Sequence, residues 1–150
     1  MFRWIGGWLA ASLATYLVGS ALMTQVVLSN VAGFGVTIDL PSRLTMTAAD
    51  IGGLVTSYLP LIAIAMAVAM LVAGILGRLI PSRRAALVLL AGLAAPPALV
   101  AIMSATFGMN PLAGAAGAVG MLLQALAGLA GGLVFMRILG LRAGGSAEAA

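Results

Sequence analysis

Four long, mostly apolar runs decide what this chain can fold into. They cover roughly residues 4–28, 51–76, 85–107 and 111–138. A helix that crosses a bilayer needs about 20 predominantly apolar residues, and each run supplies them. Within hydrocarbon every backbone N–H and C=O must be paired inside the segment, which a helix achieves by itself. Composition agrees: 63% of the 150 residues are hydrophobic and 7% are charged, against about 25% charged in a soluble domain. The reading is an all-α membrane protein with four transmembrane helices in an up-down bundle. Residues 1–142 form one transmembrane domain and 143–150 a polar cytoplasmic tail.

The first run begins like a signal peptide, with Arg3, an apolar stretch and Gly19-Ser20-Ala21 in the place of a cleavage site. Its apolar character continues through Val26, Val27 and Leu28, beyond the usual core of about 7–15 residues. It is therefore expected to stay as a membrane helix.

Arginine placement sets the expected orientation. Arg3, Arg78, Arg83, Arg84, Arg137 and Arg142 fall at one side of the four spans, and Arg43 at the other. By the positive-inside rule both termini are cytoplasmic, in what reads as a bacterial inner membrane. Trp4 and Trp8, one turn apart, read as anchors at the cytoplasmic interface. Arg78, Arg83 and Arg84 are candidate contacts to lipid headgroups.

The longest loop joins the first two helices on the outer side. Within it, residues 36–40 and 43–47 alternate in polarity around Pro41-Ser42, which predicts either a small β-hairpin or an irregular, partly helical cap. Asp39 and Arg43 are placed to pair across it. Thr47-Ala-Ala-Asp50 has the form of a capping box ahead of the second run, so Thr47 and Asp50 are read as an outer-rim helix cap. Gly108-Met-Asn-Pro111 reads as a tight outer turn.

Polar and helix-breaking residues near the midplane are the candidate site. Tyr16, Pro60, Pro96, Pro97 and Gln124 fall near the middle of their runs. A proline inside a helix removes a donor and orphans the carbonyl four residues earlier. Pro96 and Pro97 thus free the carbonyls of Gly92 and Leu93, and Pro60 that of Thr56. An unpaired carbonyl in hydrocarbon costs several kcal/mol, so Gln124 or Tyr16 is expected to face the break. Gly120, Gln124, Gly128 and Gly132 recur every fourth residue as a helix-packing stripe, with Ala11, Thr15 and Gly19 as its expected match.

The composition excludes much chemistry. There is no Cys and no His, and all seven basic residues are Arg. General acid–base and nucleophilic catalysis have few candidates, so no enzyme is expected. No metal motif, cofactor motif or nucleic-acid-binding patch is present in the sequence. Met23, Met66, Met70 and Met103 read as core filler. Two functions remain. The first is a non-catalytic structural or accessory subunit, bound in the lipid bilayer to a membrane-protein partner or to copies of itself. The second is a small oligomeric channel or carrier for a neutral or weakly polar solute, with its site at the broken third helix.

Overall fold

The computed structural model describes residues 2–107 and 117–141. The expected turn at Gly108-Met-Asn-Pro111, Arg142 and the tail over 143–150 lie outside the described residues. Five helices follow in order: α1 (Phe2–Ala32), α2 (Leu40–Leu54), α3 (Tyr58–Leu79), α4 (Arg84–Phe107) and α5 (Gly117–Leu139), with one 3-10 turn at Pro81–Arg83. Helices α1, α3 and α5 are each long and apolar enough to cross a membrane, as is the stretch Pro81–Thr106 that contains most of α4. The four-helix transmembrane reading holds. Around the bundle α1 packs on α5, α5 on α4, α4 on α3 and α3 on α1.

Small residues set these contacts. Gly7, Ala11, Thr15 and Gly19 lie along one face of α1 against Ala127, Gly131, Phe135 and Leu139 of α5. A Cβ on Gly131 would run into the Thr15 hydroxyl and lie 2.7 Å from the Ala11 carbonyl oxygen. Only a glycine fits there, and its missing side chain is what lets the two backbones approach. The stripe expected on α5 splits in two. Gly128 and Gly132 turn toward α4, where they meet Gly92, Pro96 and Val88, while Gln124 lies against Gly19 of α1, and Ala127 and Gly131, outside the expected stripe, supply the rest of the α1 contact. A spacing of four overshoots a whole turn by about 40° for every four residues, since a turn takes about 3.6 residues. That drift lets one helix serve two neighbours.

At the end of the bundle that carries the arginines, the Arg3 guanidinium donates to the Ile138 carbonyl at 2.9 Å. It supplies a cation where the α5 dipole is negative. Gly140, with φ of 72°, lets the Leu141 N–H return to the Met136 carbonyl at 2.9 Å, a C-terminal cap that favours glycine. The start of α1 and the end of α5 thus share one end of the bundle. Nearby, the Arg84 side chain lies across Gly77, where a Cβ would sit 2.7 Å from its Cγ. Trp8 ties α1 to α3. Its indole N–H donates to the Ala63 carbonyl of α3 at 2.9 Å, and Trp4 packs edge-on against Phe135. Met23, Met66 and Met70 are buried in the core, as expected of flexible filler.

The outer segment is a helix where a hairpin was one alternative. Asp39 is the N-cap of α2: its Oδ1 accepts the Ser42 N–H at 3.2 Å. Pro41 follows in the first turn, where its missing N–H costs nothing and its fixed φ suits a helix. That cap outweighs a short polarity alternation. Thr45 and Thr47 then tolerate the helix by returning their hydroxyls to the Pro41 and Arg43 carbonyls. Asp39 does not bridge to Arg43, whose Nη1 donates to Gln25 Oε1 at 3.1 Å.

Candidate functional site

Helix α1 is 31 residues long, or about 46 Å at the standard rise, well beyond a hydrocarbon core of about 30 Å. One of its faces carries Ser12, Tyr16, Ser20 and Thr24, all buried. These residues stand four apart, so they form a file of hydroxyls under α2 and beside α3. Ser12 donates to the Trp8 carbonyl at 2.8 Å. Tyr16 donates from its hydroxyl to the Ile51 carbonyl near the end of α2. The Thr24 hydroxyl lies 2.7 Å from Asp50 Oδ2 and 3.0 Å from the Ser20 carbonyl. Its one proton serves the closer, charged acceptor, because a charge-assisted bond is the stronger.

Deeper in, the Tyr58 hydroxyl of α3 donates to Gln124 Oε1 of α5 at 2.7 Å. The Tyr58 ring stands 6.0 Å from that of Tyr16, tilted by 50°. Gly19 makes room for the pair: a Cβ there would lie 3.1 Å from Gln124 Oε1 and 3.6 Å from the Tyr58 hydroxyl. Three buried polar atoms have no partner among the described residues: Thr15 Oγ1, Ser20 Oγ and Gln124 Nε2. Gln124 is wholly buried, and an unmade bond at such a group costs about 1–3 kcal/mol.

The structure brings Tyr16 and Gln124 together through Tyr58, yet neither fills the break in α4. Pro96 and Pro97 do lie inside that helix. The carbonyl oxygen freed by Pro96, that of Gly92, instead lies where a Cβ on Gly128 would be, and the Gly128 carbonyl oxygen lies 2.6 Å from where a Cβ on Gly92 would be. Backbone meeting backbone at two glycines replaces the expected side-chain donor. Pro60 leaves the site altogether: it is exposed in the first turn of α3, where N–H groups have no intrahelical partner to lose. Gly120 is buried one turn before Gln124.

Thr47 and Asp50 do not cap a span. Both lie inside α2, and α3 begins later, after Ser57, with no side-chain cap bond. The box pattern fails because Asp39 starts the helix earlier and the chain breaks at residues 55–57. The Thr47 hydroxyl accepts from Gln25 Nε2 at 3.1 Å, so both residues tie α2 to α1. Arg78, Arg83 and Arg84 are exposed around the α3–α4 turn. Sequence reasoning missed Ser12, Ser20, Thr24 and Tyr58. The four-residue spacing of the hydroxyls on α1 was the available signal.

A second feature lies on the lipid side. Between α3 and α4 runs a groove of about 460 Å³ lined wholly by apolar residues. Ala65, Ala69 and Ala95 sit deeper in it, and Ile64, Val68 and Ile102 stand exposed along it. No family model matches this chain, and comparisons with curated proteins and with solved structures give no match.

Proposed function

We propose that this protein is a non-catalytic subunit of a membrane assembly, seated through its α3–α4 groove against a helix of a different membrane protein. The groove is the observation that carries this reading. In lipid there is no hydrophobic drive between helices, so association depends on close van der Waals packing, and small residues allow it. The alanine floor, with larger aliphatic side chains beside it, suits a helix bearing Leu or Ile at four-residue spacing. In this reading the chain resides in a bacterial inner membrane with both termini cytoplasmic, because the arginines gather at that end. Arg78, Arg83 and Arg84 then meet anionic headgroups, each contributing about 1 kcal/mol near the surface.

Native mass spectrometry after gentle solubilisation tests the proposal. The expected result is a complex of fixed stoichiometry with a second polypeptide, lost when Ala69→Trp fills the groove. A monomer carrying only lipid, or an assembly of identical chains, contradicts it.

A further inference from the structure

We infer that α2 is an interfacial helix, seated with an apolar stripe in lipid at the headgroup–acyl boundary, at the end of the bundle away from Arg3 and Arg84. That seat is separate from the α3–α4 groove. Three residues on successive turns of α2 reach α1 at two adjacent positions: Arg43 and Thr47 meet Gln25, and Asp50 meets Thr24. Gln25 stands 22 residues beyond Arg3 in one unbroken helix, or about 33 Å at the standard rise. That is close to one hydrocarbon thickness of about 30 Å. Most of α2 therefore crosses α1 where the apolar layer ends. Only its last turn dips inward, where the Ile51 carbonyl accepts from the Tyr16 hydroxyl.

Successive helical residues turn by about 100°. By that rotation Leu40, Leu44, Ala48, Ile51 and the C-cap Val55 share one stripe. Arg43, Thr47 and Asp50, the residues tied to α1, lie about a quarter-turn to one side of it. Ser42, Ala49 and Gly53 take the opposite side, with Met46 the one large apolar side chain among them. A helix with one flank against an upright neighbour and an apolar stripe a quarter-turn away has the geometry to lie on a membrane. None of the residues of α2 is buried. Leu40 is 68% exposed and Leu44 64%, whereas Ile51, farther along the same stripe, packs against the core. The stripe thus runs on from the apolar body of the bundle.

Size decides between lipid and a second polypeptide as the occupant. Two exposed leucines and a half-exposed Val55 fall far short of the roughly 800 Å² that each partner gives to a stable protein interface. An amphipathic helix needs less. It sinks its apolar face about 5–10 Å into the headgroup–acyl boundary and leaves its other face in water.

The chain has no Cys, so single-cysteine variants of the full chain can each carry one nitroxide label. Leu40→Cys and Leu44→Cys sample the stripe, and Met46→Cys and Ala49→Cys the opposite side. All four positions are exposed, so the labels fit without repacking the bundle. Leu13→Cys, on the exposed face of α1, gives the in-membrane reference. Electron paramagnetic resonance in phosphatidylcholine–phosphatidylglycerol vesicles compares access to oxygen, which concentrates in lipid, with access to a nickel chelate, which stays in water. The expected result is an oxygen-to-nickel ratio several-fold higher at Leu40 and Leu44 than at Met46 and Ala49, approaching that at Leu13. Equal nickel access at all four positions overturns the inference, because α2 would then stand in water. Labels at Leu40 and Leu44 closed to both reagents overturn it too, because protein and not lipid would cover the stripe.

Discussion

The carbonyl oxygen of Gly92 occupies the place a Cβ on Gly128 would take, and the Gly128 carbonyl oxygen lies 2.6 Å from where a Cβ on Gly92 would be. This reciprocal contact answers the orphan that Pro96 creates, and it fixes how closely α4 and α5 pack. A Cβ on Gly128 would collide with the Gly92 oxygen and sit 2.6 Å from Pro96 Cδ. Neither is the movable end of a flexible side chain. Gly128→Ala is therefore expected to destabilise the bundle by about 1–3 kcal/mol, the usual cost of overpacking. Gly74→Ala is the control. Nothing lies within 4 Å of its would-be Cβ, so it should gain up to about 1 kcal/mol from helix propensity. Unfolding in mixed micelles with increasing SDS reads both.

Tyr58 and Gln124 should show coupling. Gln124→Leu keeps the volume but leaves a buried hydroxyl without its acceptor, at an expected cost of about 1–3 kcal/mol. With Tyr58→Phe already in place, that same substitution should cost much less. A double-mutant cycle on the same unfolding assay measures the difference. Additive losses would mean that the pair contributes nothing jointly.

The start of α2 depends on pH through Asp39. Hydrogen bonds from the Ser42 side chain, and then from its backbone N–H, hold the carboxyl below its ordinary range. A lowered folded value means that the cap's contribution is fully present above the unfolded value of about 3.9. It is lost as pH falls through the folded value below that. Hydrogen exchange by mass spectrometry should show α2 protection steady at neutral pH, after correction for intrinsic rates, and falling under strong acid. Asp39→Ala should show several-fold faster exchange in α2 at neutral pH, with α1 and α5 unchanged.

How the sequence relates to these findings varies by element. The spans were legible because bilayer hydrophobicity acts on whole segments and averages over detail. Helix α2 was not, because Asp39-Leu-Pro-Ser sits in a stretch that also alternates like a strand, and the cap decides the outcome only once the backbone is built. Thr47 and Asp50 matched a capping box by local pattern, yet their partners are Gln25 and Thr24, far away in the chain. Gln124 and Tyr16 were legible as buried polar groups. Tyr58 was hidden because it opens a helix expected to begin earlier. The role of Gly92 lay beyond the sequence, since a backbone contact between two glycines leaves no side-chain pattern to read.

The central claim, that the α3–α4 groove receives a helix of another protein, is tested most directly by site-specific photo-cross-linking in intact membranes. A benzophenone amino acid would replace Val68 or Ile102 beside the groove, with Leu13 on the exposed face of α1 as control. The account predicts that both groove positions cross-link to one discrete second polypeptide, that Leu13 does not, and that Ala69→Trp abolishes the product. Lipid adducts alone at all three positions, or a product indifferent to Ala69→Trp, would contradict it.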